Sequence, residues 1–278
     1  MTIQSGCNCE DSAEKAQRIR NLVILCSLIL AVAGGSACRD NAPTVSQGGI
    51  ADGEKSAAES IAEADALYAQ RKDLSKVRSG IAVLRQVRIN ADGNYEAAWK
   101  LAKFNCYLGL HATDNREREA AFQEGVDAGR IAVHLQGDKA DGHFWLGANY
   151  GGSAEISMLA ALAVFQDIRT EMERVIEIDP NYEVGSGYMV LGRLYLEVPR
   201  VLGGDKKKAI DYLEKGLRVG SGNGLMHLRL AEAYHATGRD RDARKQIDFI
   251  LKMTPGSDYL PEHEETVVGA KELEKKLS

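Results

Sequence analysis

Cys7-Asn8-Cys9 places two thiols where they could grip a metal ion, yet no second pair accompanies it in the 278-residue chain. Six histidines, His111, His134, His143, His227, His235 and His263, are the other natural ligands. None has a carboxylate or cysteine at ligand spacing. His227 and His235 fall on one helical stretch but about two turns apart, too far to share an ion. The run "GSGNG", 220–224, would cradle phosphate only between a strand and a helix; it joins two helical stretches and reads as a loop. No G-x-S-x-G, Walker-type G-x-x-x-x-G-K-[ST] or H-E-x-x-H occurs. Paired acids are abundant, but on helices such pairs make solvated faces. We therefore expect no catalytic residues, no metal and no cofactor: a binding protein, not an enzyme.

One cysteine has a stronger case. Residues 21–33, "NLVILCSLILAVA", form a short apolar run behind Arg18 and Arg20, and "GGSAC" follows. A basic flank, an apolar core and a small-residue exit make an export signal. Gly35-Ser36-Ala37-Cys38 resembles a bacterial lipobox, with Gly35 where Leu is usual, and nominates Cys38 for lipidation. Ala31-Val32-Ala33 competes as an ordinary cleavage site that would release a secreted protein. Counting on to Ala37 would give a retained anchor, since a spanning helix needs about 20 apolar residues. Glu10, Asp11 and Glu14 offset the basic charge ahead of this run, so we expect the working start codon downstream of Met1. The expected organisation is a lipoprotein-type signal over 1–37, a polar tether over 38–56, and a folded domain over 57–278. The expected location is the periplasm, on a membrane through the N-terminal lipid. Cleavage before Cys38 leaves Cys38 and Cys106, and with Cys38 lipidated no disulfide framework can be built.

The elements behind these residues are helices. Hydrophobic residues are 44% of the chain and charged residues 27%, with only 5 prolines. The net charge of -5 lacks the basic excess that binding to phosphates requires, so no nucleic-acid partner is expected. Three segments share one template of Leu, a small residue, then Tyr: Leu146-Gly147-Tyr150, Leu191-Gly192-Tyr195 and Leu230-Ala231-Tyr234. That is the first-helix signature of a tetratricopeptide repeat. The last repeat continues through Gly238, Ala243, Ile247 and Ile250 to Pro255. The one before it carries a longer middle, "EVPRVLGGD", and the third closes at Pro180. Residues 95–135 make a weaker unit, with Trp99 at the aromatic position and Ala102 where Leu is usual. Residues 58–92 keep only the helical rhythm. Glu262, Glu264 and Glu265 precede Lys271, Lys275 and Lys276 in a last segment ordered as a capping helix. The expected fold is all-α: a tetratricopeptide-like solenoid of helical hairpins, about four to five pairs plus the cap.

Function in such a solenoid resides in its concave groove. Residues two before and two after the Leu-small pair tend to face inward. This nominates Phe144, Met189, Arg193, Leu228, Glu232 and His235. Trp145 is ambiguous, and Asn149 with Gly151-Gly152 breaks the helix rhythm of "DGHFWLGANYG". A mostly apolar groove with one Arg suits an organic carboxylate, a small hydrophobic ligand or a partner's peptide. The competing reading is that these residues pack against the solenoid's own inserted segments.

The stretches "GHFWLGANYGGSAE" and "LGRLYLEVPRVLGGDKKKAIDYLEKGL", with "GSAC", resemble the T-component family associated with tripartite ATP-independent periplasmic (TRAP) transporters. The resemblance covers about residues 60–260. It implies an exported, lipid-anchored accessory that binds the transporter's periplasmic solute-binding subunit. It further implies homo-oligomers, trimers around a central opening that offers hydrophobic ligand a path. A generic envelope adaptor for assembly or secretion of protein complexes is the alternative.

Overall fold

In a computed structural model, the described residues are 55–156, 158–255 and 260–277. The signal, Cys38 and most of the tether lie outside them. Residues 53–278 form one compact unit. Among the described residues there are eleven α-helices and one short 3-10 turn, with no strand. No described helix is long and apolar enough to cross a membrane.

The helices form five antiparallel pairs and a cap. They are α1 (Ala57–Tyr68) with α2 (Leu74–Asn90), α3 (Tyr95–His111) with α4 (Asn115–Leu135), and α5 (Ala140–Ile156) with α6 (Met158–Ile178). Then come α7 (Ser186–Glu197) with α8 (Lys206–Val219), α9 (Gly224–His235) with α10 (Asp240–Lys252), and α11 (Leu260–Lys276). Helix starts follow local chemistry. Ser56 and Glu59 form a reciprocal capping box at α1, the Ser56 Oγ accepting from the Glu59 N–H at 3.2 Å and the Glu59 carboxylate accepting from the Ser56 N–H at 2.8 Å. Asn94, Asp114 and Asn223 each accept a backbone N–H three residues on, at 2.9 to 3.0 Å.

The repeat template sets the packing. Leu191, Leu230, Ala231 and Leu213 are fully or almost fully buried. Gly147 and Gly192 sit where helices cross: a Cβ at Gly147 would run into Met172, and one at Gly192 into Leu213. The buried residues form clusters from Ile61 on α1 to Leu277 beyond α11, joined through partly buried side chains such as Trp145, which packs against both the first and the middle cluster. Arg78 with Glu117 at 2.7 Å and Arg85 with Glu124 at 2.5 Å form two exposed rungs between α2 and α4.

The structure gives five pairs, within the expected four to five, and corrects one register. The two weaker units are complete helical hairpins, so there are five pairs. In the second, Leu101 and Ala102 are the buried Leu-small pair and Asn105 takes the tyrosine position. Trp99 is instead half-buried in a side cluster with Tyr95, Ala98 and Ala132. Between the third and fourth pairs the contact passes through α6 and α7. The connection there holds Glu183, Val184 and Gly185 at positive φ of 43°, 57° and 77°. For the β-branched Val184 that is a strained conformation. The extra residues of the next pair form the 3-10 turn Arg200–Leu202, after which Gly203 at φ 105° and Asp205, its N–H bonded to the Tyr195 carbonyl at 2.9 Å, return the chain to α8.

Candidate protein-interaction surface

The first helices of the pairs, α1, α3, α5, α7 and α9, carry the inward-facing template positions. Phe144 does not face a groove. It is buried, with its ring edge-on to Trp145 at 5.0 Å and tilted against Tyr182 at 5.2 Å. Tyr182 comes from the α6–α7 connection and is held there by its hydroxyl, which donates to Asp141 at 3.2 Å. Asn149 is fully buried. Its Nδ2 donates to the carbonyls of Ala102 at 3.0 Å and Trp145 at 2.6 Å, tying α5 to α3. Leu228 is buried beneath α11, where a Cβ on Gly269 would stand 2.9 Å from its side chain. These three expected groove residues are interior, because the solenoid's own helices, connection and cap cover them.

The remaining candidates are less covered. Met189 is half-buried against the C-terminal core. Arg193 pairs with Glu197 at 2.8 Å, Glu232 with Arg229 at 2.9 Å, and His235 with Asp240 at 2.8 Å. They lie on α7 and α9, apart from Trp145 on α5, so the structure does not bring the set together in one place.

What it does bring together lies on α1, α3 and α5. Lys103, on α3, holds its ammonium 4.9 Å from the Tyr68 ring centre and 5.3 Å from that of Trp145. Burial pushes the Lys103 ammonium below the usual lysine range. Tyr68 is itself packed, tilted on Phe104 at 4.6 Å and edge-on to Tyr107 at 5.7 Å. Nearby, Lys100 is neutralised by Asp65 at 2.5 Å and Glu96 at 2.8 Å.

The rim of this region is closed by the far end of the chain. Arg71 after α1 makes a two-point ion pair with Glu262 of α11, at 2.9 and 2.8 Å. Lys72 meets Glu264 at 2.6 Å, and His111 meets Glu265 at 3.1 Å. Lys72, Leu74, Tyr107, His111, Glu264 and Glu265 line a shallow cleft of about 420 Å3 at this seam. The acidic first turn of the cap therefore reaches the first hairpin, while Ala270, Leu273 and Leu277 pack on the last.

His143 and His227 are held by the protein itself. His143 faces Glu171 through Nδ1 at 2.5 Å and the Gly137 carbonyl through Nε2 at 3.0 Å, and the Glu171 carboxylate raises its pKa. His227 bonds Gln246 and the Ser221 carbonyl and stacks on Phe249 at 3.9 Å. Among the described residues no three His, Cys, Asp or Glu side chains converge as a metal set. Cys106 is buried in the interior of α3.

Sequence reasoning passed over Lys103, Tyr68 and Arg71. The rule that nominated Phe144 and Arg193 reaches Trp99 and Lys103 when applied to Leu101-Ala102. The rule was read only from the three clear repeats, and the weaker unit, its register one residue off, lay outside it.

The five hairpins and their cap define a tetratricopeptide-like helical solenoid, a fold that presents surfaces to other proteins. Solved structures agree at the level of fold. TTC0263, a thermophilic tetratricopeptide protein of Thermus thermophilus, is 17% identical with TM-score 0.60, covering 79% of this chain and 100% of that one. PilF of Pseudomonas aeruginosa is 16% identical with TM-score 0.51, covering 80% and 94%. Residues 60–202 match the family described as regulator of microtubule dynamics protein 1-3, and the chain belongs to that family. No curated protein is a significant match to the chain.

Proposed function

We propose that this protein is an exported, lipid-anchored scaffold that holds a protein partner on its concave face. The observation that carries the scaffold reading is the group of Lys103, Tyr68 and Trp145, gathered from three successive first helices of a solenoid. The export reading rests on the apolar run 21–33, its arginines, and the "GSAC" stretch ending at Cys38. On this reading it serves as an accessory of a tripartite periplasmic solute transporter and binds the solute-binding subunit. The support for that step is the T-component resemblance. An adaptor for other envelope complexes is the alternative, and it uses the same surface.

The test is affinity purification of the chain from its host with identification of the partner. Recovery of a solute-binding subunit supports the transporter reading; recovery of outer-membrane assembly or secretion proteins supports the adaptor. Cys38→Ser should release the protein from membranes, and a variant that stays bound would count against lipid anchoring. The family match favours a second reading, in which the protein acts on microtubule dynamics, the role that the family's name gives its namesakes. Co-sedimentation with polymerised tubulin would support it.

A further inference from the structure

Val201 is the most exposed large apolar side chain among the described residues, at 90%. With Leu202, 37% exposed, it forms the tip of the 3-10 turn Arg200–Leu202 between α7 and α8. Single exposed apolar residues are ordinary. What sets this one apart is how firmly the backbone presents it. The Leu202 and Gly204 N–H groups donate to the Pro199 carbonyl at 2.9 and 3.1 Å, and the Gly203 N–H to the Arg200 carbonyl at 3.2 Å. A Cβ on Gly204 would run into the Val198 carbonyl, and one on Gly203 would stand 3.3 Å from the Phe165 ring. The backbone of the turn is thus packed into the protein while Val201 is left outside it. A side chain presented on a fixed backbone loses little freedom when it docks.

The residues flanking the tip are cations. Arg200, Lys206, Lys207 and Lys208 are all exposed, in a chain whose net charge is -5. Among the described residues none of the four has an acid at ion-pair distance. Lys206 reaches the Ala236 carbonyl at 2.9 Å, and Lys208 lies over the Tyr195 ring at 5.3 Å. The acids nearest in sequence are engaged elsewhere. Glu197 pairs with Arg193 at 2.8 Å, and Asp205 caps α8, accepting the Lys207 and Lys208 N–H groups at 2.9 and 3.1 Å. An apolar tip among cations matches an anionic bilayer, which takes the tip into its acyl boundary and the cations at its headgroups, and which needs no shaped pocket to do so. A bilayer is also within reach. A lipid on Cys38, or an anchor retained over 21–37, would hold the domain by the 39–56 tether, at most about 60 Å when extended. We propose that the turn 199–204 is a second membrane contact, seating Val201 and Leu202 in the headgroup boundary of an anionic phospholipid bilayer, with Arg200, Lys206, Lys207 and Lys208 against its phosphates. This rests on the export and anchoring reading, and it adds the lipid class and the part of the solenoid that turns toward the membrane.

The test uses the full chain on vesicles of phosphatidylcholine alone, or of phosphatidylcholine and phosphatidylglycerol in equal parts, with brominated acyl chains to quench any indole that enters the bilayer. Val201→Trp puts a reporter at the tip, and Val268→Trp, at a position 58% exposed on α11, is the control. The unaltered chain gives the background from Trp99 and Trp145. Quenching should appear with Val201→Trp, be severalfold stronger on the anionic vesicles, and be absent with Val268→Trp. Arg200→Gln or Lys207→Gln, added to Val201→Trp, should each lower the ratio of docked to free turn about fivefold, the weight of one basic residue at an anionic surface. Circular dichroism melting confirms that the variants are folded. Equal quenching of the two reporters would overturn the proposal, as would quenching at Val201→Trp that ignores vesicle charge, or none on either vesicle. Flotation with the vesicles reports the anchor separately. A chain that floats without quenching at Val201→Trp keeps the anchor and removes the turn contact. A chain that fails to float on neutral vesicles, yet is quenched on anionic ones, keeps the turn contact and removes the anchor. A photo-crosslinker at position 201 that captures a host protein in place of lipid would also overturn the proposal.

Discussion

Arg71 and Glu262 lie 191 residues apart in the chain and meet in a two-point ion pair that joins the first hairpin to the capping helix. The Arg71 side chain is only 8% exposed, and Glu262 meets it with both carboxylate oxygens. The guanidinium lies over the Tyr68 ring, 5.0 Å from its centre. Glu262→Gln removes one carboxylate charge from beside that buried cation. The expected cost is about 1–3 kcal/mol, toward the low end because Glu262 is partly solvated. Urea denaturation checks this, and a midpoint equal to wild type would mean that the seam contributes nothing to stability.

Gly151 and Gly152, neighbours in α5, should respond in opposite directions to alanine. A Cβ at Gly151 meets nothing within 4 Å, whereas one at Gly152 collides with the fully buried Phe122 ring. Gly151→Ala should stabilise by up to about 1 kcal/mol through helix propensity. Gly152→Ala should destabilise by about 1–3 kcal/mol through overpacking. Thermal melts of the pair are decisive, and shifts of the same sign would refute the packing described for α5.

Leu230 is 2% exposed in the C-terminal core. Leu230→Ala should cost about 2–5 kcal/mol, the range for a buried leucine. A shift within error in chemical denaturation would place Leu230 outside the core.

His143 gives the protein a pH-dependent contribution. Glu171 raises its pKa in the folded state above 6.5, while burial opposes this. A raised folded value means that the stabilisation is fully present below the unfolded pKa, about 6.5, and is lost as pH rises through the higher folded value. The stability difference between wild type and Glu171→Gln should therefore be larger at about pH 5.5 than at about pH 8.5. Melting curves at the two pH values measure it, and a difference that grows toward high pH would contradict the sign.

The hairpins were legible in the sequence wherever packing repeats locally. Leu191-Gly192-Tyr195 and Leu230-Ala231-Tyr234 announce themselves because a helix crossing needs a small residue one place after a large one. The same logic slipped by one residue at Leu101-Ala102, where Asn105 replaces the tyrosine and Trp99 draws attention to the wrong register. The concave face was less legible. Phe144 and Leu228 occupy inward template positions, yet Tyr182 and α11 cover them, and no spacing along a single helix encodes what a later segment will cover.

Sequence alone determined the all-α class, the repeat architecture and the polar, dipole-matched last helix, because each depends on spacings within about 34 residues. Tertiary structure decided the seam between Arg71 and Glu262 and the seating of Lys103 between Tyr68 and Trp145. Those contacts depend on how far each hairpin rotates on the one before. These rotations accumulate along the five hairpins before α11 meets the first, and only their sum brings the two ends of the solenoid together.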